Sequence, residues 1–537
     1  MNRKRVLSLL LAMCLSFGVA AGCTSAPNPT PTPAASTAPS GDPAPAPSDA
    51  VPAKDTVIVT QSDEPTAFVT GDRSFQTIPN KDGIVIYNIY DSLMFMKYDG
   101  SVEYMLATEY SVSDDGLEYT FKLRDDVYFH NGYKMTAEDV AFTYNMGLEK
   151  YPSLAVSLFL NLDHVEAVDE TTVKMVLTAP YAGFINCTTC RLGLIMSKQY
   201  YEEVGGSEGY NNAPIGTGAY KFGTRISGES VTMVANEEYW GGAPAIKNVI
   251  VKPIANASTQ FLSLENGEVD MIARADIASC LQITGDDLTW GYVPSTTRNI
   301  LVFFAVEPKL AADKNLRKAI QCAIDKEEIL LGSVEGYGTI LDQDIIYTYR
   351  DAPDPSVLTT VTQDLDKARE YLEASSYNGE PIVAVVSSGS AEELSAQIIQ
   401  GQLLPLGINI EVRSVDAQTR NTISNTGEGA DFMITNHASS LNDVAMLGWN
   451  YAPSNAASPR FDTELMAETE VLVRASDVEM DPVKRQEFVA QILNISTEEA
   501  LVIPLYNPVM AAAWNVGLKG VQPHLVGTCY LIKDWSW

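Results

Sequence analysis

The clearest alternation of apolar and polar positions along the chain lies at 117–124. Leu117, Tyr119, Phe121 and Leu123 are apolar, and Glu118, Thr120, Lys122 and Arg124 between them are polar. A period of two sorts these sets onto opposite faces, so the segment is predicted to be a half-buried strand. Asp114-Asp115-Gly116 before it is turn chemistry, and Asn131-Gly132 after it is a strong turn dipeptide. The period then lengthens. Ala137, Val140 and Tyr144 share one helical face, and Thr136 with Asp139 is close to a capping box.

The same reading places elements elsewhere. Thr56–Thr60 is a first strand with a loop at Gln61–Pro65, and Val165–Leu177 fits a hairpin. From about Val293 strands and helices alternate. Asn299–Val306 is strand-like, and Leu316, Ile320, Ala323 and Ile324 on one face predict a single helix over Asp313–Leu331. Ile382–Val386 is a strand, Ser390 and Glu393 form a capping box opening a helix through Leu404, and Ile408–Val412 is the next strand. That is a βαβ unit, so a parallel pair with a right-handed crossover is expected. Asp481 followed by Pro482 reads as an N-cap and first helical residue. Ile503–Tyr506 is an extended run. A chain that leaves one lobe and returns to it makes two connecting strands, and such a pair makes a hinge.

Composition narrows the class. The 537 residues are too many for one ordinary domain, and 46% hydrophobic content is ample for large cores. A net charge of -32 argues against a nucleic-acid partner, whose phosphates such a surface repels. Residues 1–23 read as a targeting segment, with Arg3, Lys4 and Arg5 followed by an apolar run from Val6 to Ala20 that is too short to span a bilayer. Residues 24–54 are rich in Pro, Ala, Ser and Thr and read as a semi-extended tether.

Of the seven cysteines, Cys187 and Cys190 stand at C-x-x-C spacing, but no second pair completes a zinc site. Buried thiols are the simpler account, with a disulfide left open outside the cell. The four histidines, His130, His164, His437 and His524, fit no metalloprotease spacing, and no G-x-S-x-G elbow occurs. No catalytic set, cofactor or metal site is therefore expected.

The run from Ser111 to Val140 resembles the signature of the family 5 solute-binding proteins, the oligopeptide, dipeptide and nickel-chelate receptors of ABC importers. Its pattern, S-D-D-G-x-x-Y-T-F-x-L-R-x-x-V-x-F-H-x-G-x-x-x-T-A-E-D-V, is matched here at nearly every fixed place. Further stretches follow in the family's order. They are Asn88–Leu93, Pro214–Phe222 (with Ala219 for the usual proline), Asn236–Gly242, Leu264–Asp270, and the helix carrying Arg317, Ala319 and Asp325. The resemblance covers about 55–537.

The resemblance implies an α/β, two-lobe periplasmic-binding-protein-like fold of class II, cluster C type. On that reading 55–290 is lobe 1 with an inserted subdomain at about 85–200, 291–503 is lobe 2, and 504–537 returns to lobe 1. It also implies a monomeric, non-enzymatic lipoprotein outside the cytoplasmic membrane. Ala20-Ala21-Gly22-Cys23 resembles a lipobox, with Cys23 the lipidated residue. The expected partners are a small-molecule or peptide ligand, the ABC permease, and the membrane through the anchor. The alternatives are a sensory receptor of the same fold without a transporter and, more distantly, an extracellular hydrolase.

Three stretches correspond to the family's ligand contacts: Ser62-Asp63-Glu64, the region of Cys187–Leu194 with Arg191, and Asn436–Asp443 with Asn436, His437, Ser439, Ser440 and Asp443. Peptide-binding relatives commonly carry W-x-x-D-x-x-D-P at the third, where the first acid pairs with the peptide's amino terminus. Here Asn436 or His437 replaces the tryptophan and Ser439 or Ser440 the acid. Without that acid a strong preference for ordinary free-amine dipeptides is not expected, unless Asp63, Glu64 or Asp443 supplies the charge. Arg191, if it faces the cleft, suits a carboxylate-bearing ligand, such as a modified peptide or a metal chelate.

Overall fold

The computed structural model describes residues 54–70, 80–150, 161–189, 193–306, 308–438, 442–452, 461–525 and 527–537. The targeting segment and nearly all of the tether lie outside them. The fold is mixed α/β and has two lobes.

A ribbon of two antiparallel strands organises the molecule. One is the 14-residue strand Val502–Asn515. The other is formed end to end by Leu288–Pro294 and Thr297–Phe303, which pair along the same partner from Leu288 opposite Asn515 to Val302 opposite Val502. On the first-lobe side the ribbon continues through Met271–Ala275, Thr56–Gln61, Asn248–Pro253, Ser230–Ala235 and Tyr220–Ile226. On the second-lobe side it continues through Phe432–Ala438, Ile382–Ser387 and Ile410–Val415. Within the lobes, Thr56–Gln61 is parallel to both of its neighbours, and so is Ile382–Ser387.

Each body of the fold has its own core. Ile300, Phe432, Val489 and Tyr506 belong to the second-lobe core; Val57, Tyr220, Val249 and Ala512 belong to the first. One strand, through Tyr506 and Ala512, thus contributes to both. A third core includes Leu93, Tyr119, Phe121, Val140 and Phe184. It holds the alternating segment, a strand over Glu118–Leu123 with Tyr119, Phe121 and Leu123 buried, and the helix Ala137–Lys150. Burying a side chain of this size contributes about 1.5–3 kcal/mol.

Most predicted elements form. The Ser390-capped helix runs Ala391–Leu403 between the parallel strands Ile382–Ser387 and Ile410–Val415. The Asp481 side chain accepts from the Val483 and Lys484 amides at the start of Pro482–Glu499. The helix expected over Asp313–Leu331 is instead two, Lys314–Ala323 and Lys326–Val334. Ile324 is extended, and Asp325 caps the second helix by accepting from the amides of Glu327 and Glu328 at 3.0 and 3.1 Å. An unbroken apolar face hid an N-cap within it.

The motif stretches converge on one buried acid. Asp91 accepts hydrogen bonds from Thr217 Oγ1 at 3.0 Å, Trp240 Nε1 at 2.8 Å and the Tyr239 hydroxyl at 3.2 Å. Gly216 and Gly218 pass so close to the end of helix Asn80–Ile89 that a Cβ would lie 2.1 Å from Ile89 O and 2.5 Å from Asn88 O respectively. His130 accepts from the Gly216 amide at Nδ1, 3.2 Å, so its Nε2 carries the proton and donates to Gly218 O at 2.9 Å.

Candidate functional site

In open α/β sheets, ligands sit outside the carboxyl ends of the parallel strands. In the first lobe, Thr56–Gln61 ends at Ser62-Asp63-Glu64. In the second, Ile382–Ser387 ends at the turn before helix Ala391–Leu403, beside the end of Phe432–Ala438. The second-lobe ends also lie next to the ribbon, because Asn436 is opposite Asn299 and His437 is opposite Arg298.

The residues proposed from sequence divide into three groups. Ser62, Asp63 and Asn436 are exposed and His437 is half-buried, each at a strand end. Ser62 Oγ donates to Asp63 at 2.9 Å, and Asn436 Nδ2 donates to Glu392. Arg191, Ser439, Ser440, Cys190 and Cys23 lie outside the described residues.

Glu64 and Asp443 are already engaged. Glu64 pairs with Arg225 at 2.6 Å and accepts from the Gly228 amide at 3.0 Å. Burial pushes its carboxyl up, but the Arg225 and Gly228 hydrogen bonds outweigh this and hold it below the usual range. Asp443 is wholly buried. Its Oδ1 accepts from Arg485 at 2.7 Å and from the Ala445 amide at 2.9 Å, and its Oδ2 accepts from the same guanidinium at 3.3 Å.

Asp443 belongs to a cluster at the contact between the third core and the second lobe. Arg485 also binds Asp351 at 2.6 Å and donates from Nε to Ser476 O at 2.9 Å. Asp477 stands close by, its carboxyl raised to about 7 by burial against the pull of Arg485 and Arg474. From the other side, the Ala182 amide donates to Asp477 O at 3.0 Å, and a Cβ on Gly183 would lie 3.1 Å from Asp443 Oδ2.

The second-lobe strand ends carry polar groups that sequence reasoning did not single out. Arg298 and Asp344 form a wholly buried pair, Nε to Oδ1 at 3.4 Å, and Asp344 also accepts from Asn450 at 2.8 Å and Tyr451 at 3.0 Å. On the neighbouring strand position Asn299 is 1% exposed and its Oδ1 has no partner. Glu392 is 6% exposed. In sequence it reads as an ordinary first-turn acid beside the capping Glu393, and only the tertiary contact with Asn436 sets it apart.

Among the described residues, no group of three or more His, Cys, Asp or Glu is arranged to hold a metal ion, and no helix is long and apolar enough to cross a membrane. A furrow of about 590 Å³ between helices Thr463–Val478 and Pro482–Glu499 is walled by helix side chains alone and involves no strand end.

Comparison with known proteins agrees with this architecture. Residues 101–458 match the model of the bacterial extracellular solute-binding proteins, family 5, middle region. The glutathione-binding protein GsiB of Salmonella paratyphi A is 26% identical over 492 residues, covering 88% of this chain and 92% of that protein. The ABC transporter substrate-binding protein CtaP of Listeria monocytogenes superposes with a TM-score of 0.80 at 22% identity, over 90% of this chain and 99% of its own. The periplasmic binding protein DppA of Helicobacter pylori, solved with the peptide STSA, gives 0.74 at 20% identity, over 90% and 98%.

Proposed function

Because the chain belongs to the bacterial extracellular solute-binding proteins of family 5, we propose that it captures a peptide or peptide-like solute between its two lobes and hands it to the permease of an ABC importer. It does this as a monomer held outside the cytoplasmic membrane by a lipid on Cys23. The observation that carries the reading is the ribbon formed by 288–303 and 502–515. It is the shared spine of both lobe sheets, and its crossing lies beside the strand ends where a ligand would bind. Two strands crossing together permit rotation of one lobe on the other while keeping both cores whole.

On this reading Ser62 and Asp63 from the first lobe and Asn436 and His437 from the second contact the ligand, Ser439 and Ser440 are proposed to do the same, and Arg191 to pair with a ligand carboxylate. Glu64 and Asp443, committed to Arg225 and Arg485, hold structure instead. The ligand chemistry is supported by the relatives, of which GsiB is named for glutathione and DppA was solved with a tetrapeptide.

The test is native mass spectrometry of the purified protein, followed by calorimetry with di- to pentapeptides, glutathione and metal chelates. Stoichiometric, unhydrolysed binding of one class is expected. Turnover of the panel, or no solute held by the protein as purified and none bound from the panel, would defeat the proposal. Arg191→Ala should weaken a carboxylate-bearing ligand at least ~30-fold.

A further inference from the structure

Glu392 is a carboxylate set into the protein without a counter-charge. It is 6% exposed and forms no ion pair among the described residues. Asn436 Nδ2 donates to Oε1, while Oε2 has no protein donor among the described residues and keeps some contact with solvent. Taking a carboxylate out of water without a cation is costly, by several kcal/mol in real proteins. The N-terminal end of helix Ala391–Leu403, where Glu392 sits, offsets only part of that.

Asn436 and Tyr506, both neutral, stand near Glu392. Asn299 lies directly across the strand from Asn436 and also faces Tyr506 on the ribbon, so the three side chains share one face of the sheet. Asn299 is 1% exposed and its Oδ1 accepts nothing. Ser395, one turn after Glu392, lies 3.5 Å from the Tyr506 hydroxyl, which ties that helix to the same face. A buried carboxylate and a buried, unpartnered carbonyl oxygen therefore converge beside the exposed Asn436, at the strand ends next to the ribbon.

We propose that Glu392, with Asn299 and Asn436, is the subsite that binds the primary ammonium group of the ligand. The inference rests on the crevice being the ligand site. It resolves the missing acid. Of the acids near the crevice, Glu64 is taken by Arg225 and Asp443 by Arg485, while Asp63 is exposed and would be screened by water. The charge comes from the neighbouring helix, not from the strand that carries it in peptide-binding relatives. An ammonium there donates to Glu392 and to Asn299 Oδ1, and so gives the one buried acceptor of the pair that lacks a partner its donor.

The experiment uses the full chain and two variants, Glu392→Gln, which keeps shape and an acceptor for Asn436, and Asn299→Leu. Calorimetry compares tri- and tetrapeptides and glutathione in free and N-acetylated forms. For the wild type, N-acetylation should weaken binding at least ~30-fold, and Glu392→Gln should weaken the free amines by as much while barely affecting the acetylated forms. Asn299→Leu should give a smaller loss of the same kind. In the absence of ligand, Glu392→Gln should melt higher than the wild type, since it removes an uncompensated buried charge.

Equal binding of free and acetylated forms, or free-amine binding unchanged in Glu392→Gln, overturns the subsite and leaves the proposed function standing. If the wild type binds no member of the panel, the peptide reading is what fails. The melting comparison then decides the subsite by itself: a rise supports a carboxylate awaiting a cation, and a fall assigns Glu392 a structural role.

Discussion

Arg485 has no exposed surface, and its guanidinium is held by Asp443 and Asp351. Removing Asp443 leaves the buried guanidinium with Asp351 alone, and breaking a buried pair typically costs up to about 3–5 kcal/mol. Asp443→Asn should therefore lower the unfolding free energy obtained from urea titration by up to that amount, while ligand affinity, measured well below the midpoint, stays as it was. Unchanged stability with lost affinity would return Asp443 to the ligand site. The difference between Asp443 and Glu392 is what residue-level reading misses. Both are acids near promising stretches, but a buried arginine from 42 residues away satisfies one of them, and no sequence spacing announces that. His130 and Asp91 lie in stretches that the sequence singled out, and their partners Gly218, Thr217 and Trp240 lie in others, but that these stretches meet was not legible. Burial pushes the His130 imidazole down to about 4, so it stays neutral through ordinary pH as the Gly216 and Gly218 contacts require.

Elements were read well where one period governed a segment and a cap marked its end. The strand Glu118–Leu123, the helix after Ser390 and the helix after Asp481 are such cases. The break at Ile324–Asp325 escaped because apolar periodicity continued across it. Contacts between elements distant in sequence were not legible, and the meeting of Ala182 with Asp477 is the clearest. Asp477 has its folded value raised from 3.8 to about 7, first by burial. The folded state binds this proton more tightly than the unfolded chain does, so the associated stability is fully present below pH 3.8 and is lost as pH rises through about 7. Asp91, raised to about 6 by burial, acts in the same direction. Comparison with Asp477→Asn isolates the first. The variant should gain on the wild type as pH rises from about 5 to 8 in thermal melts, with the gap closing toward pH 4. A gap that stays constant across that range would show that Asp477 does not titrate there.

Across the whole molecule, sequence indicated a chain that leaves one lobe and returns, but not that the two passages pair along their length. The anchor belongs to this scale too. Cys23→Ala should leave the protein unprocessed or released, and unchanged processing and detergent-phase partitioning would exclude lipidation. The ribbon supports a sharper expectation. Where it passes between the lobes, Asn507 Nδ2 donates to Ser295 O at 2.8 Å and to Thr297 O at 2.7 Å, on either side of the crossing at Thr296, and the Ser295 backbone N–H donates to Pro508 O at 2.9 Å. Asn507 is 3% exposed, so Asn507→Ala strands two carbonyls in a buried place, at about 1–3 kcal/mol each. A looser ribbon has more freedom to lose on closing, so this variant should bind ligand several-fold more weakly although it touches no crevice residue. In the wild type, rotation of the lobes about this crossing on binding would reduce the radius of gyration in solution scattering at saturating ligand, and that contraction is the expected outcome. An identical scattering profile with binding confirmed by calorimetry would rule out closure. A normal affinity and a normal contraction in Asn507→Ala would show that the clamp does not govern it.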